Sequence, residues 1–370
     1  MGDVFEAIRI GVLSLPNRFI RSATYEGLAD DDGRVTNALR ALYDELAHGD
    51  IGLIIAGYAY VTPNGQGSPR MLGISSDSHI EGLAELVSAV QRHGAKIAAQ
   101  IVHCGRQTFP GIVDGSPVAP SPVAMRKYGT MPRELTAAEI DVIIDDFARA
   151  AVRAREAGFD AVQIHAAHGY LLNQFLAANT NRRTDRYGGD IEGRATALFE
   201  TYSRIRRAVG TDYPVLIKMN CADFVAGGLQ VEESLWVAER LAAMGIDAIE
   251  VSGGVAETEQ EDGKSIQKGV PVKRPEAYFL PYAEKFENAV GAPIIAVGGI
   301  RSLETAQEIV QSGKSDLVSM CRPFISEPHL IKRWREGDRS PAHCVSCNRC
   351  FARTIFEGVQ CFRRRNRGNA

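Results

Sequence analysis

The residues Glu156-Ala-Gly-Phe-Asp-Ala-Val-Gln-Ile-His165 close one element and open another. Gly158 ends a helical pattern, because glycine accepts the left-handed backbone at which helices stop. The run after it is short and nearly continuous in apolar side chains, as in a parallel strand covered on both faces. Upstream, Thr136 followed by Glu139 has the spacing of a capping box, so a helix is expected over 137–157. The same punctuation returns at Met244-Gly-Ile-Asp247 and Ser312-Gly-Lys-Ser-Asp316.

Extended outward, this rhythm covers most of the chain. Strands are expected over 18–23, 52–58, 96–103, 160–165, 214–220, 247–252, 293–298 and 316–320. Helical periodicity is expected over 37–48, 81–93, 137–157, 191–209, 231–244, 276–290 and 303–311. Eight strands, nearly all followed by a helix, predict an α/β fold of the (β/α)8 TIM barrel type, enlarged by insertions over 104–133 and 253–274. A doubly wound sheet would want Gly-x-Gly-x-x-Gly after the first strand, and Ser22-Ala-Thr-Tyr-Glu-Gly27 does not supply it. The barrel is assigned to 1–335 and a cysteine-rich C-terminal extension to 336–370.

The 370 residues carry a formal charge of −3, which speaks against nucleic acid as the main partner. No run of about 18 apolar residues offers a membrane span. The first ten residues carry acids and no apolar stretch, so no secretory leader is expected and the cytoplasm is the expected compartment. Four of the seven cysteines, Cys344, Cys347, Cys350 and Cys361, crowd the C-terminal end. In a reducing compartment such a cluster reads as metal binding before disulfides.

Barrel enzymes place their sites at strand C-termini. Gln100 and His103 stand there, as do His165 with His168 and Tyr170 beyond it, Lys218, Gly298-Gly299, and Cys321-Arg322. His165 and His168 read as a metal pair, as ordinary bonded histidines, or as donors to a substrate oxygen with Tyr170 as acid. A tyrosine of ordinary pKa near 10 stays protonated at neutral pH, which suits that role. Gly298-Gly299 with Arg322 matches the phosphate site after strands seven and eight. Lys218 reads as an interior cation met by a carboxylate, as a Schiff-base nucleophile, or as a cation facing an anionic ring.

A longer match narrows these readings. His165 to Arg194, beginning His-Ala-Ala-His-Gly-Tyr-Leu-Leu-Asn-Gln-Phe, resembles the signature of the old yellow enzyme family of FMN-dependent oxidoreductases. Pro16-Asn-Arg-Phe-Ile20, Gln100-Ile-Val-His-Cys-Gly-Arg106, Val297-Gly-Gly-Ile300 and Met320-Cys-Arg-Pro-Phe324 agree with it. The similarity spans about residues 5–335. The terminal cysteines point to the branch related to 2,4-dienoyl-CoA reductase and trimethylamine dehydrogenase.

The resemblance implies one FMN. Ala23, Thr24 and Ala56 would line its ring, Gln100 would read the pyrimidine edge, and Lys218 would face the N1–O2 locus. Gly298, Gly299, Cys321 and Arg322 would hold the phosphate. His165 and His168 would bind a substrate carbonyl, and Tyr170 would protonate the carbon beside it after hydride leaves flavin N5. The implied activity is reduction of an activated C=C bond in an enone or enoyl thioester. Oxidative N-demethylation of an amine is the alternative on this scaffold; a flavin-free aldolase using Lys218 and a non-catalytic electron carrier are alternatives of other classes. Two positions depart from the family pattern: Tyr25 where some relatives carry a flavin-tuning cysteine, and Cys321 where many have Gly or Ala.

Cys344-x2-Cys347-x2-Cys350-x10-Cys361 has spacing that suits a [4Fe–4S] cluster, against a zinc site of four cysteines or free thiols. Relatives in this branch continue into FAD- and NAD(P)-binding domains, whereas this sequence ends at Ala370. Electrons are therefore expected from NAD(P)H directly or from a donor protein. The basic stretch Arg363–Arg367 reads as a solvated end or a docking patch for that donor. The oligomeric state is left open, a homo-oligomer included.

Overall fold

A computed structural model describes residues 2–260 and 276–365. The eight barrel strands are β1 (Phe19–Arg21), β2 (Leu53–Ile55), β3 (Lys96–Val102), β4 (Ala161–Ala166), β5 (Val215–Asn220), β6 (Ala248–Ser252), β7 (Ile294–Val297) and β8 (Leu317–Met320). Each pairs in parallel with the next, and β8 pairs with β1, which closes the sheet. This is the (β/α)8 barrel. The strands lie where the sequence pattern places them, shortened by one to three residues at most ends.

The outer ring comprises α1 (Asn37–Ala47), α2 (Ile80–Gln91), α3 (Ala137–Glu156), α4 (Ile191–Val209), α5 (Val231–Ala243), α6 (Leu280–Ala289) and α7 (Leu303–Gln311). The expected capping box is present: Thr136 Oγ1 accepts from the Glu139 amide, and Glu139 accepts from the Thr136 amide. One expectation needs correction. The helix expected from 276 begins only at Leu280, because Ala277 is left-handed and Pro281 sits in the first turn with no N–H to give. The Glu276 carboxylate instead accepts from the amides of Arg301 and Ser302, and so caps the start of α7.

Inside the barrel, residues two apart on a strand face the same way. The lowest interior layer is apolar: Leu53, Ala98, Ala161, Leu216, Ala248, Ile295 and Leu317 pack together. A hairpin of Ile8–Ile10 and Leu13–Leu15 plugs this end with Ile10, Leu13 and Leu15. The larger core lies between sheet and helices. Among the described residues no helix is long and apolar enough to cross a membrane. Of the insertion expected over 253–274, residues 261–274 lie outside the described residues.

The C-terminal extension folds back onto the upper end of the barrel. The Val359 amide donates to the Glu26 carbonyl at 2.7 Å, and Arg70 reaches the Ile355 carbonyl at 2.7 Å. Residues 366 and 367 of the expected basic stretch lie outside the described residues.

Candidate active site

One layer above the apolar plug, the barrel interior turns polar. Lys218 and Glu250 are register partners on β5 and β6, and Gln100 and Gln163 are partners on β3 and β4. The Lys218 ammonium lies 3.2 Å from Glu250 Oε1 and donates to Ser22 Oγ at 2.7 Å. Ser22 and Ser319 both donate to the same carboxylate oxygen, at 2.8 and 2.9 Å. Gln163 donates to Glu250 Oε2 at 3.0 Å and accepts from Gln100 at 2.6 Å. Glu250 is 0% exposed, so these bonds are what make a carboxylate tolerable there. Of the readings open for Lys218, the carboxylate-paired interior cation is observed.

Above this layer a cleft opens toward solvent. Its walls include Ala23 and Thr24 after β1, His165 near the end of β4 with His168 and Tyr170 beyond it, Lys218, Gly298-Gly299, and Cys321-Arg322. The structure thus brings these ten expected site residues into one cleft and places two elsewhere. Ala56 is buried outside the cleft lining, and Tyr58 lines the cleft. Gln100 lies in the polar layer beneath, bonded to Gln163. His103 turns away and bonds Asn64.

The histidine pair is set by a tight turn. His168 has φ +62° and Gly169 φ +81°. The left-handed backbone at Gly169 favours glycine, and a side chain there would press on Gln107 Oε1 at 2.9 Å. The turn folds His168 back to lie 5.2 Å from the His165 ring, centroid to centroid. His165 Nδ1 accepts from the Ala167 amide at 3.3 Å, which leaves the proton on Nε2. His168 Nε2 meets Ser252 Oγ at 2.7 Å. Burial, then the like charge of Lys218, pushes His168 down to about 3. Burial, then His168 and Lys218, holds His165 well below the usual histidine range. Both rings are therefore neutral donors at physiological pH.

Tyr170 bonds Tyr58 hydroxyl to hydroxyl at 3.0 Å, with its ring 4.8 Å from that of His165. Burial raises both phenols, so Tyr170 keeps its proton at neutral pH.

At the far side, Gly298 has φ +125° and a side chain there would meet Phe279 at 2.9 Å. Arg322 donates to Asn348 Oδ1 at 2.6 Å, which ties the C-terminal extension to β8. Ser346, Asn348 and Phe351 of that extension form part of the cleft wall, a contribution that local sequence patterns do not show. On its other side all four terminal cysteines border one small cavity beside Arg322. Ser346 and Asn348 are both left-handed, which turns alternate peptides to opposite sides of the loop. Among the described residues, no three of these sulfurs lie within 4.8 Å of one another. A tetrahedral zinc with bonds near 2.3 Å would hold them about 3.8 Å apart.

The cleft gathers three kinds of group at the C-terminal ends of the strands. A cation stands on the barrel axis, neutral donors stand at one edge, and glycines with an arginine stand at the other. The chain belongs to the NADH:flavin oxidoreductase / NADH oxidase family, whose model matches residues 3–340. It is 39% identical over 363 residues to an NADH oxidase of Thermoanaerobacter brockii, a match covering 97% of this chain and 55% of that protein. An NADPH dehydrogenase of Geobacillus sp. strain WCH70 is 36% identical over 329 residues, 88% of this chain and 92% of that one. The solved 2-naphthoyl-CoA reductase with 2-naphthoyl-CoA superposes with a TM-score of 0.89 at 28% identity, over 97% of this chain and 56% of that one. The chain spans about half the length of the first and third of these proteins.

Proposed function

We propose that the chain is an FMN-dependent reductase of activated C=C bonds, acting on an enone or an enoyl or aryl thioester. The observation that carries this is the placement of two neutral histidines and a protonated tyrosine on one rim of the cleft, above a buried ammonium. The cleft suits FMN. Its Gly298 edge has no room for a Cβ, Arg322 stands beside that edge, and Lys218 supplies a cation among the lining residues. Gly298, Gly299 and Arg322 would hold the phosphate, Ala23 and Thr24 would border the ring, and Lys218 would face its pyrimidine side. FMN, when bound, supplies the two-electron hydride chemistry.

The residues do the rest. His165 and His168 bind the carbonyl oxygen through N–H groups, which polarises the conjugated bond without adding a full charge to the cleft. Tyr170 delivers a proton to the α carbon, and its bond to Tyr58 steadies the phenolate left behind. Lys218 paired with Glu250 is held away from nucleophilic work, which argues against the Schiff-base alternative.

The four terminal thiolates would hold a [4Fe–4S] cluster, because their spacing in sequence suits one and they border one cavity. Cys344, Cys347 and Cys350 lie on a loop whose other side walls the cleft, a position suited to passing single electrons between FMN and a donor. NAD(P)H is the hydride source, directly or through such a donor, and the cytoplasm is the place of action. Anaerobically purified protein should carry one FMN, about four iron and four sulfide per chain. After reduction by NADH or NADPH, the flavin band should return on mixing with an enone or enoyl thioester. Reduction of the flavin by methylamines, with no response to any enone, would replace this reading with amine oxidation. One zinc and no sulfide would make the cysteine site structural.

A further inference from the structure

We propose that Glu250 sets the reduction potential of the bound FMN, by balancing the Lys218 ammonium beneath the flavin ring. Among the described residues Glu250 is the one carboxylate in the polar layer, and it has no solvent contact. Its Oε1 faces Lys218 at 3.2 Å, and Ser22 bridges the two, accepting from the ammonium and donating to the carboxylate. Reduced FMN carries an added negative charge at its pyrimidine end, and a nearby cation favours that charge. A cation already matched by a buried anion favours it less. In a site of low dielectric this difference is not screened by solvent. Glu250 therefore lowers the potential of the flavin and makes its hydride a stronger donor. The bonds from Gln163, Ser22 and Ser319 hold the carboxylate in place and aim it at Lys218. Glu250 is a positioning residue, acting through Lys218, and the signal for it was its inward parity with Ala248 and Ser252.

The proposal rests on FMN occupying the cleft above Lys218, and the test separates the two claims. Sulfite adds to flavin N5 and leaves an anionic ring, so its affinity reports how well the site supports negative charge. In flavin-loaded Glu250→Gln, sulfite should bind about tenfold more tightly, and the two-electron potential should rise by the corresponding ~30 mV. In a Lys218→Met background the same substitution should change sulfite affinity less than twofold, because Glu250 acts through that ammonium. Should Glu250→Gln fail to fold, Glu250→Asp carries the test: it withdraws the carboxylate by one methylene and should shift both readouts the same way by a smaller factor. Sulfite affinity unchanged within twofold, or weaker, in a flavin-loaded Glu250 variant would overturn the role of Glu250 alone. Wild-type protein that takes up no FMN would overturn both claims.

Discussion

The two ends of the barrel are made by the same eight strands and have opposite characters. At the lower end Ala161, Leu216, Ala248 and Leu317 interlock with a hairpin plug and seal the interior. Two residues further along each of these strands stand Gln163, Lys218, Glu250 and Ser319, and two beyond those on β4, β5 and β6 stand His165, Asn220 and Ser252. A step of about 6.5 Å per two residues thus carries the interior from dry packing through a bonded charge pair to open chemistry. Stability and reactivity are separated along the strand axis, so each end should be open to perturbation without the other.

The sharpest break should come at the upper end. Tyr170→Phe removes the acid, and re-oxidation of the flavin by an enone should slow by ~10²-fold or more, with reduction by NAD(P)H and thermal stability unchanged. Stopped-flow measurement of both half-reactions checks this; equal rates with every enone would remove Tyr170 from the mechanism. Leu216→Ala makes the opposite break. It opens a cavity in the lower layer and should cost about 2–5 kcal/mol in denaturant unfolding, while bound flavin keeps its spectrum. A shifted spectrum would show that the two ends are coupled.

The neutral histidines give a smaller effect with a definite sign. His103 and His168 are both held at about 3 by burial, against an ordinary value near 6.5. Between those values the unfolded chain binds more protons than the folded one, so stability is full above pH 6.5 and falls as the pH drops. Each should contribute up to ~1.4 kcal/mol per pH unit in that window, measured by urea unfolding across about pH 4–7. A flat profile would mean that the rings are solvated. Least is expected of Ser252→Ala, which removes the partner of His168 Nε2. About 1 kcal/mol, or roughly fivefold in enone affinity, should be lost without change in flavin content.

Much of this was legible in sequence because it is local. The Gly-Phe-Asp and Gly-Ile-Asp junctions mark helix ends followed by strands, and parity along β4 and β5 points His165 and Lys218 inward. What escaped is non-local. Tyr58 rather than Ala56 reaches the wall where the chain bulges between β2 and Ala59–Tyr60, which resume parallel pairing with β3. Glu250 sits in an apolar run where its partners come from four other strands or strand ends. The wall built by Ser346, Asn348 and Phe351 depends on the extension folding over β8. The unwound start of α6 was hidden because its Pro281 also fits a helix's first turn; the left-handed Ala277 decides the matter.

The central claim is that the upper end of this barrel binds FMN and returns its electrons to an activated alkene. Anaerobic titration tests it most directly: protein reduced with one equivalent of NADH or NADPH is mixed with 2-cyclohexenone, and flavin absorbance is followed alongside saturated ketone by mass spectrometry. One saturated ketone per flavin re-oxidised is the predicted result. Protein that lacks flavin after reconstitution with FMN, or flavin that stays reduced with enones and enoyl thioesters alike, would contradict it.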